Sequence, residues 1–232
     1  MNPNPIIQEL VDKTMRELNE PKKPLPRSRI ATTSNGYIHL IAWSNAHLLR
    51  IFVRIFTKTL PKSEYRLKAQ LDDAARSVIA NIEEGFSRPT TSEYLTFLGY
   101  SEASLIEVKG DIQRSLQDGF LHSNKSSTLA SIHINLFDWH EVMKQSVTSK
   151  PVETKGIYRN LEEAKASFTF LYPPVDTLDP DALTYEIFIE LINKTNWHLK
   201  KLVLSLEDKL NRDQKFYQVE KARVQSKVQW RR

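Results

Sequence analysis

The sequence predicts an all-α protein. It reads as an antiparallel four-helix bundle with a long crossover between helices three and four, plus an N-terminal amphipathic helix and a basic C-terminal tail. Three observations carry this. Apolar residues recur at steps of three and four along four long stretches, which keeps one face of each helix apolar. The first three stretches are separated by short runs holding helix stops and starts, and short connections make antiparallel neighbours. Only 6 glycines occur in 232 residues, too few for a sheet protein rich in tight turns.

Residues 1–35 open the chain. The run 5–19 is amphipathic through Ile6, Ile7, Leu10, Val11 and Leu18, and docks on the bundle or on a partner. A basic linker follows, in which Pro21, Pro24 and Pro26 break regular structure. Its Lys22, Lys23, Arg27 and Arg29 have no acid between them. They are either a solvated linker or a mobile cationic arm for phosphate.

Residues 36–120 supply bundle helices one to three. The first covers 37–59, where Ile41, Leu48 and Ile55 repeat by seven and Phe52 and Phe56 widen the stripe. It also carries Arg50, Arg54 and Lys58 at steps of four, a cationic stripe with no acid beside it on that helix. Solvated faces usually mix signs. The stripe is therefore the foremost nucleic-acid candidate; the other readings are a solvent face or pairing with acids on a neighbouring helix.

Pro61 ends that helix, and the second begins near Ser63 or Glu64. Leu67, Leu71, Ala74, Val78 and Ile82 mark its buried face, and Arg76 lies one turn beyond Asp72, its expected partner. Gly85 suits the left-handed position just past a helix end, and Pro89 cannot continue the helix. Thr90 with Glu93 forms a capping box for the third helix. That helix buries Tyr94, Leu98, Ser101, Leu105, Val108, Ile112 and Leu116, runs to about Asp118 and stops at Gly119. Small residues set the approach of helices two and three: Ala74, Ala75 and Ala80 on one, Gly99, Ser101, Ala103 and Ser104 on the other. Leucine at Ala75 or Ser104 is expected to overpack by roughly 1–3 kcal/mol.

Residues 121–179 form a helical excursion packed on the bundle. Helical spacing runs from Ser127 to Val147 through Leu129, Ile132, Leu136, Trp139 and Met143, and a shorter helix is expected over Tyr158 to Phe170. Residues 180–212 are the fourth bundle helix, opened by Asp179-Pro180 and striped by Phe188, Ile192, Thr195, Leu199, Leu202, Leu206 and Leu210. Residues 213–232 are a basic tail, with Trp230 beside Arg231 and Arg232. Such a tail either stacks on bases and follows phosphate or simply solubilises the chain.

Composition bounds the function. The 40% hydrophobic and 26% charged content is that of a folded globular chain. Cysteine is absent, which excludes disulfides and thiolate chemistry and fits a reducing, cytoplasmic setting. No run approaches the ~20 apolar residues of a membrane span, and a net charge of +5 suits an acidic partner.

The chemistry-bearing residues do not assemble an enzyme. Among the histidines only His133 and His140 are placed to share a helical face, and no third ligand joins them, so neither metal nor cofactor is expected. There is no phosphate loop, no GxSxG elbow and no arginine followed four to six residues later by histidine. Glu83, Glu84, Glu102 and Glu107 lack the Glu-x-x-His partners of carboxylate bundle enzymes, so Glu83 and Glu84 are read as capping surfaces or pairing with cations.

The run Ala74-Ala75-Arg76-Ser77-Val78-Ile79-Ala80-Asn81-Ile82-Glu83-Glu84-Gly85 resembles the signature of a bacterial four-helix-bundle family. That family includes the rRNA intervening-sequence proteins and the accessory variability protein of diversity-generating retroelements. Ala103-Ser104-Leu105-Ile106-Glu107-Val108 is similar to its third-helix motif and Gly36-Tyr37 to the start of its first helix. Leu191 to Leu199 resembles the closing helix of the branch with a C-terminal suffix, although that branch's glycine-rich continuation is missing. Asp73 and Glu83 stand where the family usually has Arg or Gln and Ala, adding negative charge to the second helix.

The resemblance implies a non-enzymatic accessory protein that binds RNA or DNA through basic helix surfaces, partners a reverse transcriptase and assembles as a homo-oligomer, a ring of five in relatives. The residues whose charge pattern suits that role are Arg50, Arg54, Lys58, Lys22, Lys23, Arg27, Arg29, Arg231 and Arg232. The alternative is a protein–protein scaffold that uses the N-terminal helix and the 121–179 excursion.

Overall fold

The computed structural model describes residues 35–148 and 172–229. Among them there are six α-helices and no strand: α1 (Ile41–Thr59), α2 (Tyr65–Ser87), α3 (Thr91–Gln117), α4 (Leu136–Thr148), α5 (Pro173–Asp176) and α6 (Tyr185–Gln229). Short 3-10 turns precede α1, α2, α4 and α6. The predicted N-terminal helix at 5–19, the linker and the helix expected at Tyr158 to Phe170 lie outside the described residues.

The bundle is α1, α2, α3 and α6, each packed against two of the others in the cyclic order α1–α2–α3–α6. Phe188, in the first turn of α6, meets Phe52 and Phe56 near the end of α1, so those two helices run antiparallel. Tyr185 N–H donates to the His122 carbonyl at 3.0 Å, which starts α6 beside the end of α3. The connection between helices three and four is thus a long crossover, as the pattern predicts. The apolar stripes read from the sequence are the core: Leu71, Ala75, Val78 and Ile82 of α2 face Leu98, Leu105, Val108 and Ile112 of α3, all buried.

The start and the stop of α3, which rest on local chemistry, form as expected. The Thr90 hydroxyl accepts from the Glu93 N–H at 3.2 Å and donates to the Glu93 carboxylate at 2.6 Å. Gly119, at φ +77°, closes α3 with Phe120 N–H on the Ser115 carbonyl and its own N–H on Leu116. This is a Schellman motif, which only a residue at ease with positive φ forms without strain.

Gly85 is different. It lies within α2, with no positive φ, and is not a cap. A Cβ there would stand 2.7 Å from Phe97 Cβ and 2.7 Å from Tyr94 Cδ2. Its role is to let α3 pass close. The residues that bring α2 and α3 together are therefore Ala74, Ala75, Gly85 and Ser101, whose hydroxyl donates to the Val78 carbonyl at 2.9 Å. Ala80, Gly99 and Ala103 face outward instead, and Ser104 is half-exposed, so the overpacking expected of leucine at Ser104 does not follow there.

Two further corrections concern the crossover and the last helix. Ser127 to Val147 is not one helix: His133 adopts the left-handed conformation at φ 58° and separates a 3-10 turn from α4. That break also removes His133 from the helical face of His140. The fourth bundle helix begins at Tyr185, because Asp179 and Pro180 open a separate 3-10 turn. Its helical backbone then continues through Gln229, well past the expected end near 212. At 45 residues α6 is about 67 Å long. Among the described side chains its last fully buried one is Leu199, and Asn211 to Lys215 are exposed.

Candidate nucleic-acid interface

The cationic stripe on α1 meets an acid from the neighbouring helix. Arg50 binds Asp72 of α2 through both carboxylate oxygens, Nε at 3.1 Å and Nη2 at 3.3 Å. Arg54 Nε stands 4.0 Å from the same carboxylate. One negative charge thus serves two guanidinium groups, and it offsets one of the stripe's three positive charges. Asp72 is consequently not the partner of Arg76, which instead reaches Asp73 at 3.4 Å. Lys58, one turn further along α1, is exposed and has no acid partner among the described residues.

Beyond Lys58 the chain turns a corner, and the corner is basic. Pro61 forces the break, and the turn Lys62–Glu64 leads into α2. Lys68 folds back to donate to the Leu60 carbonyl at 2.7 Å, satisfying one orphan acceptor at the end of α1. Lys62 and Arg66 are exposed, and neither has an acid partner among the described residues. Glu64, the one acid of the turn, is half-buried and accepts from Ser63. Tyr65 projects from the same corner with 63% of its surface exposed. Its hydroxyl accepts from Arg66 Nε at 3.2 Å, and that guanidinium lies 5.8 Å from the ring centre.

Of the nine residues singled out by sequence, the described structure places Arg50, Arg54 and Lys58 on one face of α1. Lys22, Lys23, Arg27, Arg29, Arg231 and Arg232 lie outside the described residues. The sequence reading overlooked Lys62, Tyr65 and Arg66. Their signal was present in the run Lys-Ser-Glu-Tyr-Arg-Leu-Lys directly after the Pro61 stop, but it divides between a turn and a helix.

The other polar clusters tie helices together or lie along one of them. Glu83 accepts from the Trp43 indole at 2.7 Å, with His47 Nε2 3.8 Å away. Burial pushes its carboxyl up, but the neighbouring His47 and Trp43 groups outweigh that and hold it below the usual range. Burial, and then the Glu83 charge, pushes the Tyr37 phenol up. Glu84 pairs with Arg88 one turn on. The two acids added to α2 are therefore engaged: Asp73 by Arg76 of its own helix, Glu83 by groups of α1.

A buried Ser44–His140 contact joins α4 to α1. Ser44 is fully buried and its hydroxyl donates to the Ile41 carbonyl at 3.0 Å, leaving its oxygen to accept from His140 Nδ1 at 2.9 Å. Trp139 donates from its indole to the Ser44 carbonyl at 2.6 Å. Together these pin α4 onto α1. Burial first, and then the charges of Lys144, His39 and His198, hold the His140 imidazole below its ordinary value against the pull of Glu141. No group of three His, Asp or Glu side chains converges on a metal-sized site among the described residues.

The class of protein is thus a helical bundle whose first three helices are joined by short connections and whose fourth returns after a crossover. Residues 39–137 match the model of a family described as the 23S rRNA-intervening sequence protein. The match spans α1 to α3 and the start of α4, including the Ala74–Gly85 and Ala103–Val108 runs that carry the resemblance. It covers the basic corner and leaves α6 outside. No curated protein and no solved structure matches the chain. Among the described residues no helix is long and apolar enough to cross a membrane.

Proposed function

We propose that this protein is a non-enzymatic nucleic-acid-binding accessory protein whose contact surface is the basic corner between α1 and α2. The observation that carries the reading is the trio Lys58, Lys62 and Arg66: exposed, spread along the turn from α1 into α2 and without acid partners among the described residues. Cations that the fold leaves unpaired bind phosphate by releasing condensed counterions, and they read charge rather than sequence. The rRNA-related family name supports RNA as the ligand. Association with a reverse transcriptase and assembly into a ring are the finer parts of this reading, supported by the resemblance of the Ala74–Gly85 run.

The test is gel retention of labelled RNA and DNA by the purified chain and by a Lys58→Glu, Lys62→Glu, Arg66→Glu variant. Retention by the parent and its loss in the variant, with an unchanged helical spectrum, is the expected result. Equal retention by both removes the corner from the account. Light scattering tests the ring separately, and a monomer at micromolar concentration removes that part alone.

A scaffold reading has one observation in its favour. Trp197 and Leu204 lie two turns apart on α6 and are 57% and 59% exposed. Charge reversal at the corner leaves capture of a protein partner through that face intact.

A further inference from the structure

We infer that the corner is a site for single-stranded nucleic acid, with Tyr65 as its stacking surface and Lys58, Lys62 and Arg66 following the backbone. The inference rests on the nucleic-acid reading above and adds to it the form of ligand. Three features lead to it. Tyr65 is 63% exposed and is not packed against the hydrophobic core, so burial does not account for an aromatic ring at the head of α2. Its hydroxyl is held by Arg66 Nε at 3.2 Å, which ties the ring to the guanidinium beside it. Cations stand on both sides of it in the chain, Lys62 before and Arg66 after, and Lys58 closes the corner from α1.

A ring among unpaired cations suits a strand whose bases are free. Phosphates meet the cations while a base lies on the ring, and stacking of this kind tolerates any base because every base has a π-face. The bases of a duplex are already stacked on both faces, so the ring adds nothing to duplex binding. Tyrosine and the three cations thus separate into two roles: charge for every nucleic acid, stacking for the single strand.

The experiment measures fluorescence anisotropy of labelled oligouridylate, oligothymidylate and the corresponding RNA and DNA duplexes with the full chain. Tyr65→Ala is expected to weaken both single strands about ten-fold, to leave both duplexes unchanged and to leave the salt slope unchanged, since no phosphate contact is lost. Tyr65→Phe is expected to restore binding. Loss on one single strand alone assigns the site to that nucleic acid and upholds the inference. No loss, or an equal loss on duplexes, overturns it. If Tyr65→Ala is silent while Lys58→Glu with Arg66→Glu abolishes binding, the stacking inference falls and the broader reading stands. If the parent chain binds none of the four at low salt, both fall.

Discussion

Replacing Gly85 with alanine tests the packing of α2 on α3 through the sign of the effect. In a helix exposed to water the change is stabilising by roughly 0.5–1 kcal/mol, because alanine loses less backbone freedom on folding. At Gly85 the new methyl would sit 2.7 Å from both Phe97 Cβ and Tyr94 Cδ2. Phe97 Cβ is fixed to its helix backbone and cannot swing aside, so the helices must part or α3 must shift. Overpacking of this kind costs about 1–3 kcal/mol, which exceeds the propensity gain. The net expectation is a loss of up to about 2.5 kcal/mol. Gly99 on the outer face of α3 is the matched control: nothing lies within 4 Å of a Cβ there, and Gly99→Ala should gain roughly 0.5–1 kcal/mol. Urea unfolding followed by helical signal measures both, with the midpoint shifting in opposite directions at constant slope. A stabilised Gly85→Ala would refute the close approach.

Other consequences follow from the ion pairs and the buried histidine. Asp72→Asn frees Arg50 and Arg54, so nucleic-acid affinity at low salt should rise, while stability falls by under about 1 kcal/mol because the pair is partly solvated. Ser44→Ala leaves His140 Nδ1 without its acceptor in a buried site, at a cost of about 1–3 kcal/mol, and hydrogen exchange should rise across 136–148 before the rest of the bundle. The pH dependence has two windows. His140 and His198 are held below the ordinary 6.5, so as pH falls below that value the unfolded chain takes up protons that the folded chain refuses, and stability drops. Glu83, held below its ordinary 4.5, contributes stability above that value and loses it as pH falls through its lowered folded value. Unfolding midpoints of the parent and a His140→Gln variant across the first window should converge as pH falls.

What the sequence could reveal was whatever local chemistry decides. Thr90 with Glu93 and Gly119 satisfy helix ends from within a few residues, and both act as their spacing implies. The apolar stripes of α2 and α3 likewise need only helical periodicity, and they form the core. Most of the misreadings share one cause, a partner distant in sequence. Gly85 near a helix end looks like a cap until Tyr94 and Phe97 are seen beside it. Asp72 has an arginine one turn on, yet Arg50 of the preceding helix claims it with two hydrogen bonds. Ser44 and His140 lie 96 residues apart, and nothing in either neighbourhood announces the other. The break at His133 has no glycine or proline to mark it. The same limit shaped the view of the site. A stripe counted along one helix favoured Arg50, the residue most fully neutralised, and passed over Lys62, Tyr65 and Arg66 around the corner.

The most direct measurement is the salt dependence of binding to single-stranded RNA, for the parent chain and for the Lys58→Glu, Lys62→Glu, Arg66→Glu variant. Each phosphate contact contributes roughly 0.7 to the slope of log affinity against log salt on a single strand, so losing three should flatten it by about two. A linear fall for the parent, flattened by about that amount in the variant, is what a basic corner working on phosphate requires. A parent slope that the variant leaves unchanged, or no binding at low salt, contradicts it.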